Sequence, residues 1–133
     1  SDYSALADAC TVANVGDSTY KAIIGMEAVA CTDGYAFTAP VGTFPANAFG
    51  LHDMVGNVWE WTQDCWHPDH ARATGTEMPL IRGGDCTKRV MRGGGFTSEE
   101  FYLRVSARGA DPVPATRLVL LGFRVAATVP AAD

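Results

Sequence analysis

Apolar and polar positions keep no helical period over any long stretch of this chain. Apolar side chains come in short runs broken by glycine and proline, the pattern of brief strands and turns. The clearest alternation is Val58-Trp59-Glu60-Trp61-Thr62, which puts both indoles on one face of a strand as core anchors and Glu60 on the other. Further strands are expected near Arg89 to Gly93, Tyr102 to Arg108 and Phe123 to Ala127, with Gly109 to Arg117 as a proline-containing connection. Ser1 to Ala9 can form one short helical turn, and little regular structure is expected from there to Gly34, where Gly16, Gly25 and Gly34 punctuate the chain. Thr38 to Pro45 should run extended between its prolines, and the polar stretch Trp66 to Leu80 should be a surface loop.

Composition narrows the class. At 133 residues the chain is one domain long, and 47% apolar with 14 glycines and 7 prolines it is globular and loop-rich, neither disordered nor a helical bundle. No apolar run approaches the roughly 20 residues a membrane-spanning helix requires. Net charge is -5 and the arginines are scattered singly, which disfavours nucleic-acid binding and is compatible with a carrier of cations.

Cys10, Cys31, Cys65 and Cys86 form no CxxC pair, which argues against a zinc ribbon or a thioredoxin-type centre. Pairing Cys10 with Cys31 and Cys65 with Cys86 would close loops of about 20 residues, each contributing about 3 kcal/mol on the chain-entropy view. Four cysteines allow three connectivities, and four buried free thiols in a cytoplasmic protein are the competing reading. Disulfides are favoured because a loop-rich domain of this size gains from staples, and because the chain opens at Ser1 as a processed, exported protein would. The expected location is therefore periplasmic or extracellular.

The segment Asn47 to Asp64, NAFGLHDMVGNVWEWTQD, carries the candidate chemistry. Gly50 and Gly56 are turn residues, and a loop through Gly56 brings the carboxylates of Asp53 and Glu60 close. Calcium takes six to eight oxygens and draws on backbone carbonyls, which suits such a loop. A capped turn at Asp53 and a strand carboxylate at Glu60 paired with an arginine is the other reading of the same spacing. His67 and His70 flank Pro68 and read as solvated loop histidines, and His52 as a hydrogen-bond partner of the Asp53 loop. Ser98, Glu99 and Glu100 have no histidine nearby and are not expected to be catalytic.

TAPVGTFP at Thr38, the Asn47 segment, RVMRGGGF at Arg89 and GFRVA at Gly122 occur in one order. In them the chain resembles the formylglycine-generating-enzyme (sulfatase-modifying factor) family over most of Ala13 to Ala126. The resemblance implies an α+β, loop-rich, C-type-lectin-like fold with short antiparallel strands and little helix. The 133 residues would be a single domain corresponding to the C-terminal part of the family domain. It also implies two structural calcium sites. One uses the side chains of Asp53 and Glu60 with the carbonyls of Gly56 and Val58. The other uses Asn14-Val15 and Asp33-Gly34-Tyr35, with Asn14, Val15, Asp33 and Tyr35 as ligands.

The family's oxidase members use a cysteine pair shortly after the RGG block, with a serine directly following its glycines. Here Gly95 stands where that serine would be, Ser98 at the first cysteine position, and no cysteine follows Cys86. Copper-thiolate chemistry needs soft thiolate ligands, so this chemistry is not expected of the chain alone. Relatives that bind iron draw histidines from an added helical domain, which this sequence does not contain. The family's ligand-binding face here carries Phe96, Phe101, Tyr102, Leu118 and Leu120, either a protein-docking patch or core. Two function classes follow. The first is a non-catalytic, calcium-stabilised accessory subunit that docks another polypeptide, such as a separate N-terminal half or a larger complex. The second is an enzyme of the oxidase type completed by a missing half or partner chain.

Overall fold

The computed structural model describes residues 8–69, 79–98, 100–111 and 117–127. A short 3-10 turn at Ala9–Thr11 precedes a helix, α1, at Ser18–Ile24. Among the described residues four strands follow: β1 at Trp59–Trp66, β2 at Asp85–Arg92, β3 at Gly109–Asp111 and β4 at Leu121–Phe123. They form one sheet in the order β3-β2-β1-β4. β2 runs antiparallel to both β1 and β3, whereas β4 lies parallel to β1, so the sheet is mixed and not wholly antiparallel.

Helix α1 lies where little regular structure was expected. Its start is fixed by Asp17, whose Oδ1 accepts from the N–H groups of Thr19 (2.8 Å) and Tyr20 (2.9 Å). It ends at Gly25, whose φ of 77° only a residue free of Cβ strain adopts readily and whose N–H donates to the Lys21 carbonyl. Two strands also shift. Tyr102 to Arg108 is not a strand: Glu100–Leu103 is a 3-10 turn, and pairing resumes only at Gly109. Phe123 ends β4 instead of opening it, because the ladder with β1 is used up by Leu121, Gly122 and Phe123. The expected turn at Ser1 to Ala9 and most of the loop from Trp66 to Leu80 lie outside the described residues.

The core sits beside the sheet, where Cys10, Ala13, Val15, Val29 and Leu103 pack together. A second group joins Tyr20, Phe37 and Phe96 edge to face, with ring centroids 6.1 and 6.0 Å from Phe96. Phe96 is 2% exposed, so it is core and not part of a docking face. Trp59 and Trp61 are half-buried, not deep anchors. His67 is buried, contrary to the expectation of a solvated loop histidine, because Gly84 packs against its ring; His70 lies outside the described residues.

Two disulfides, Cys10–Cys31 and Cys65–Cys86, use every cysteine, with Cα separations of 6.0 and 4.4 Å. The first ties the Ala9–Thr11 turn to the loop after α1, and the second ties β1 to β2. Non-reducing peptide mapping should recover these two pairs. Replacing both Cys10 and Cys31 by serine should lower stability by about 3 kcal/mol in chemical denaturation. Four alkylatable thiols in natively prepared protein would contradict the pairing.

Candidate functional site

The two expected metal loops are joined through a pair of buried asparagines. Asn57, at φ 62°, donates from Nδ2 to the Ala39 carbonyl (3.2 Å), and its Oδ1 accepts from the Ala39 N–H (2.9 Å). The same Oδ1 accepts from Asn14 Nδ2 at 3.1 Å, and the Asn57 N–H donates to the Asn14 carbonyl at 2.8 Å. Gly56 lies against that carbonyl so closely that a Cβ would overlap it. The chain between Ala13 and Val15 is thus clamped against the turn that feeds β1.

At the first loop, Asp33 organises the backbone. Its Oδ2 accepts from the Val15 N–H and its Oδ1 from the Tyr35 N–H, each at 2.8 Å, while its own N–H donates to Asp17 Oδ2. Burial, opposed by the hydrogen bonds from Val15 and Tyr35, lifts the Asp33 carboxyl above its ordinary range. Asn14 is fully buried; its Nδ2 donates to the Phe37 carbonyl (2.7 Å) and to Asn57, but its Oδ1 has no protein partner. A buried carbonyl-type oxygen without a donor costs about 1–3 kcal/mol. A hard cation at that oxygen would satisfy it, and the Asp33 carboxylate, which accepts from the adjacent Val15 N–H, offers such an ion negative charge. The Asn14, Val15, Asp33 and Tyr35 set therefore fits such an ion. Asp17 and Asp33 also lie close enough for one ligand oxygen of each to share an ion. Cys10 completes that cluster in space, but its sulfur is in a disulfide and is not a thiolate ligand.

The second loop is differently arranged. Asp53, at φ 53°, turns its Oδ2 to the Gly42 N–H at 2.7 Å. Glu60 holds Arg124 with both oxygens, accepting from Nε at 3.0 Å and from Nη2 at 2.8 Å. Arg124 is brought there by the parallel register Glu60↔Gly122 and also donates to the His52 carbonyl at 2.8 Å. Its hydrogen bonds to Glu60 raise the Arg124 guanidinium above its ordinary range. The geometry shows Glu60 paired with an arginine, whose guanidinium lies at the cleft that Asp53, Gly56, Val58 and Glu60 also line. His52 Nδ1 lies 2.7 Å from the carbonyl of Phe44, in the Thr38 to Pro45 stretch and not in the Asp53 loop.

On the remaining surface, Phe101 and Leu118 are 58% and 52% exposed, Tyr102 is exposed and Leu120 is half-buried. Phe101 lies edge to face with Tyr102 at 5.2 Å and beneath the guanidinium of Arg104 at 4.2 Å. Sequence reasoning missed Asn57, Arg124 and Asp17. Asn57 in the GNVWEW run and Asp17 before Ser-Thr were available as turn and cap signals, whereas Arg124 needed the sheet register.

Comparison with known proteins places this geometry. Residues 2–129 match the sulfatase-modifying factor enzyme 1-like (FGE-sulfatase) domain. A formylglycine-generating enzyme of Thermomonospora curvata is 43% identical over 104 residues, covering 71% of this chain and 33% of that protein. The structure of PvdO from Pseudomonas aeruginosa superposes with a TM-score of 0.68 at 33% identity, covering 86% of this chain and 38% of that one. Treponema denticola variable protein 1 superposes with a TM-score of 0.61 at 28% identity, covering 88% of this chain and 36% of that one. The chain thus spans about a third of the length of these relatives. The matched residues, the mixed loop-rich sheet and the C-type-lectin-like fold agree: this chain belongs to the sulfatase-modifying factor (formylglycine-generating-enzyme-like) domain family.

Proposed function

We propose that the chain is a calcium-stabilised, non-catalytic binding subunit on the formylglycine-generating-enzyme-like scaffold, and that it docks another polypeptide. The observation that carries this reading is the fate of its cysteines. All four are engaged in disulfides, all precede the RGG block, and Gly95 and Ser98 stand where the family's serine and first cysteine would be. The chain therefore offers no thiolate to a soft metal at the oxidase position. An enzyme completed by another chain is the competing reading, and it would have to draw every thiolate from that partner. The disulfides also support an exported location.

Calcium is proposed at the first loop, held by the Asn14 side chain, the Val15 and Tyr35 carbonyls and the Asp33 carboxylate. Its role is to tie the turn after Ala13 to the loop after α1. In the second loop Arg124 serves as the cation, and Asp53, Gly56, Val58 and Glu60 hold that turn without metal.

The docking patch is formed by Phe101, Tyr102, Leu118 and the half-buried Leu120. Its occupant is proposed to be another polypeptide, whose apolar side chains the exposed Phe101, Tyr102 and Leu118 would meet. Phe101→Asp with Leu118→Asp would place charge in a desolvated contact. Association measured by calorimetry with the protein co-purified from the native source should weaken by about 2 kcal/mol or more, at least roughly thirtyfold. The separately measured melting point should stay unchanged, because both side chains are solvated in the isolated chain. Undiminished association would remove the patch from the proposal.

A further inference from the structure

A cleft on the β1, β2 and β3 part of the sheet lies outside both metal loops. Its volume is about 590 Å³, within the range of small-ligand sites. Trp59, Trp66, Tyr102, Met91, Lys88 and Arg108 line it, and no carboxylate does so among the described residues. Trp59 and Trp66 reach one cleft although seven positions apart, because the pairing register of β1 slips on either side of Cys65. Gly109 keeps the floor open: a Cβ there would sit 3.1 Å from Met91 Cε and 3.2 Å from Trp59 Cζ3.

Two features make the cleft specific for charge as well as shape. The Arg108 guanidinium is stacked on the Trp66 ring, 5.1 Å from its centroid, and spends one donor on the His67 carbonyl at 2.9 Å. Among the described residues its fork of five N–H donors makes no other hydrogen bond. Among the described residues Lys88 pairs with the exposed Asp85, with Nζ 3.4 Å from Oδ2, and a pair so solvated holds it weakly. Trp59 stands edge to face with Tyr102 at 5.5 Å, leaving aromatic surface on which a flat ring can stack. We propose that this cleft binds a small ring compound bearing a carboxylate, with the ring against Trp59 and Trp66 and the carboxylate between Lys88 and Arg108. The site adjoins the docking patch through Tyr102 but needs neither a partner chain nor calcium.

The test follows the indole N–H signals of the full chain by NMR during titration with benzoate, an aromatic acid, and glucuronate, a sugar acid. Benzamide and glucose are the uncharged counterparts. At least one acid should shift Trp59 and Trp66 saturably with Trp61 unmoved, and its uncharged counterpart should bind about tenfold more weakly or worse. The acid that binds identifies the ring as aromatic or sugar. Lys88→Gln, on an exposed side chain, and Arg108→Met should each weaken that binding by about tenfold with the other amide signals in place. No saturable shift by either acid overturns the proposal. So does equal binding of acid and uncharged compound, or unchanged affinity in Lys88→Gln.

Discussion

Replacing Gly56 by alanine should destabilise the chain by about 3 kcal/mol or more, lowering its melting point by more than about 10 °C. Two costs coincide at this residue. Its φ of 77° is one that a side chain with Cβ adopts only under strain, and the added carbon would overlap the Asn14 carbonyl and sit 3.2 Å from Ala13 Cβ. The Asn14 carbonyl cannot simply retreat, because it also accepts the Asn57 N–H. Gly42 provides the control: it has nearly the same φ, 76°, but a Cβ added there would meet nothing within 4 Å. Gly42→Ala should therefore cost only the backbone term, about 1 kcal/mol. Equal losses in the two variants, measured by denaturation, would show that the Asn14 contact does not matter.

Long-range contacts of this kind separate what was legible in the sequence from what was not. The segment around Val58 to Thr62 and the RGG block announced β1 and β2, because alternation and a following glycine turn are local signals. Cysteine number and loop length favoured these disulfide pairs among three possible connectivities, and the structure carries both. Tyr102 to Arg108 looked like a strand because it is rich in apolar residues, yet its carbonyls have another use. Those of Val105, Ser106 and Ala107 accept from Arg92 Nη1, a demand set by β2 far away in sequence. Phe96 could be docking patch or core from the sequence, and the arrival of Tyr20 from α1 and Phe37 from its loop decides for core. Glu60 is the most instructive case: spacing allowed metal or arginine, and only the parallel pairing of β4 brings Arg124 to it.

Calcium should raise the melting point of the chain and chelation should lower it. A ligand that binds only the native state adds about 2.7 kcal/mol when present at about 100 times its Kd, a shift on the order of 10 °C for a domain of this size. The buried, unpartnered Asn14 Oδ1 and the Asp33 carboxylate, which accepts from the adjacent Val15 N–H, motivate the expectation. Asp33→Asn preserves an oxygen for the N–H groups of Val15 and Tyr35 in part, but removes the charge, and should abolish the calcium response. Glu60→Gln breaks the pair with Arg124 yet should leave the response intact. The opposite outcome, a response lost with Glu60 and kept without the Asp33 charge, would move the ion to the second loop.

The chain alone should not act as an oxidase, and this can be measured directly. Purified chain, with both disulfides intact, is incubated with copper and a cysteine-containing sulfatase-type peptide under oxygen, and the peptide is followed by mass spectrometry. Because every cysteine is engaged and none follows Cys86, the peptide cysteine should remain unconverted, with no aldehyde trapped by a hydrazine reagent. Multiple-turnover conversion of that cysteine to formylglycine by the chain, above the level of copper alone, would contradict the account.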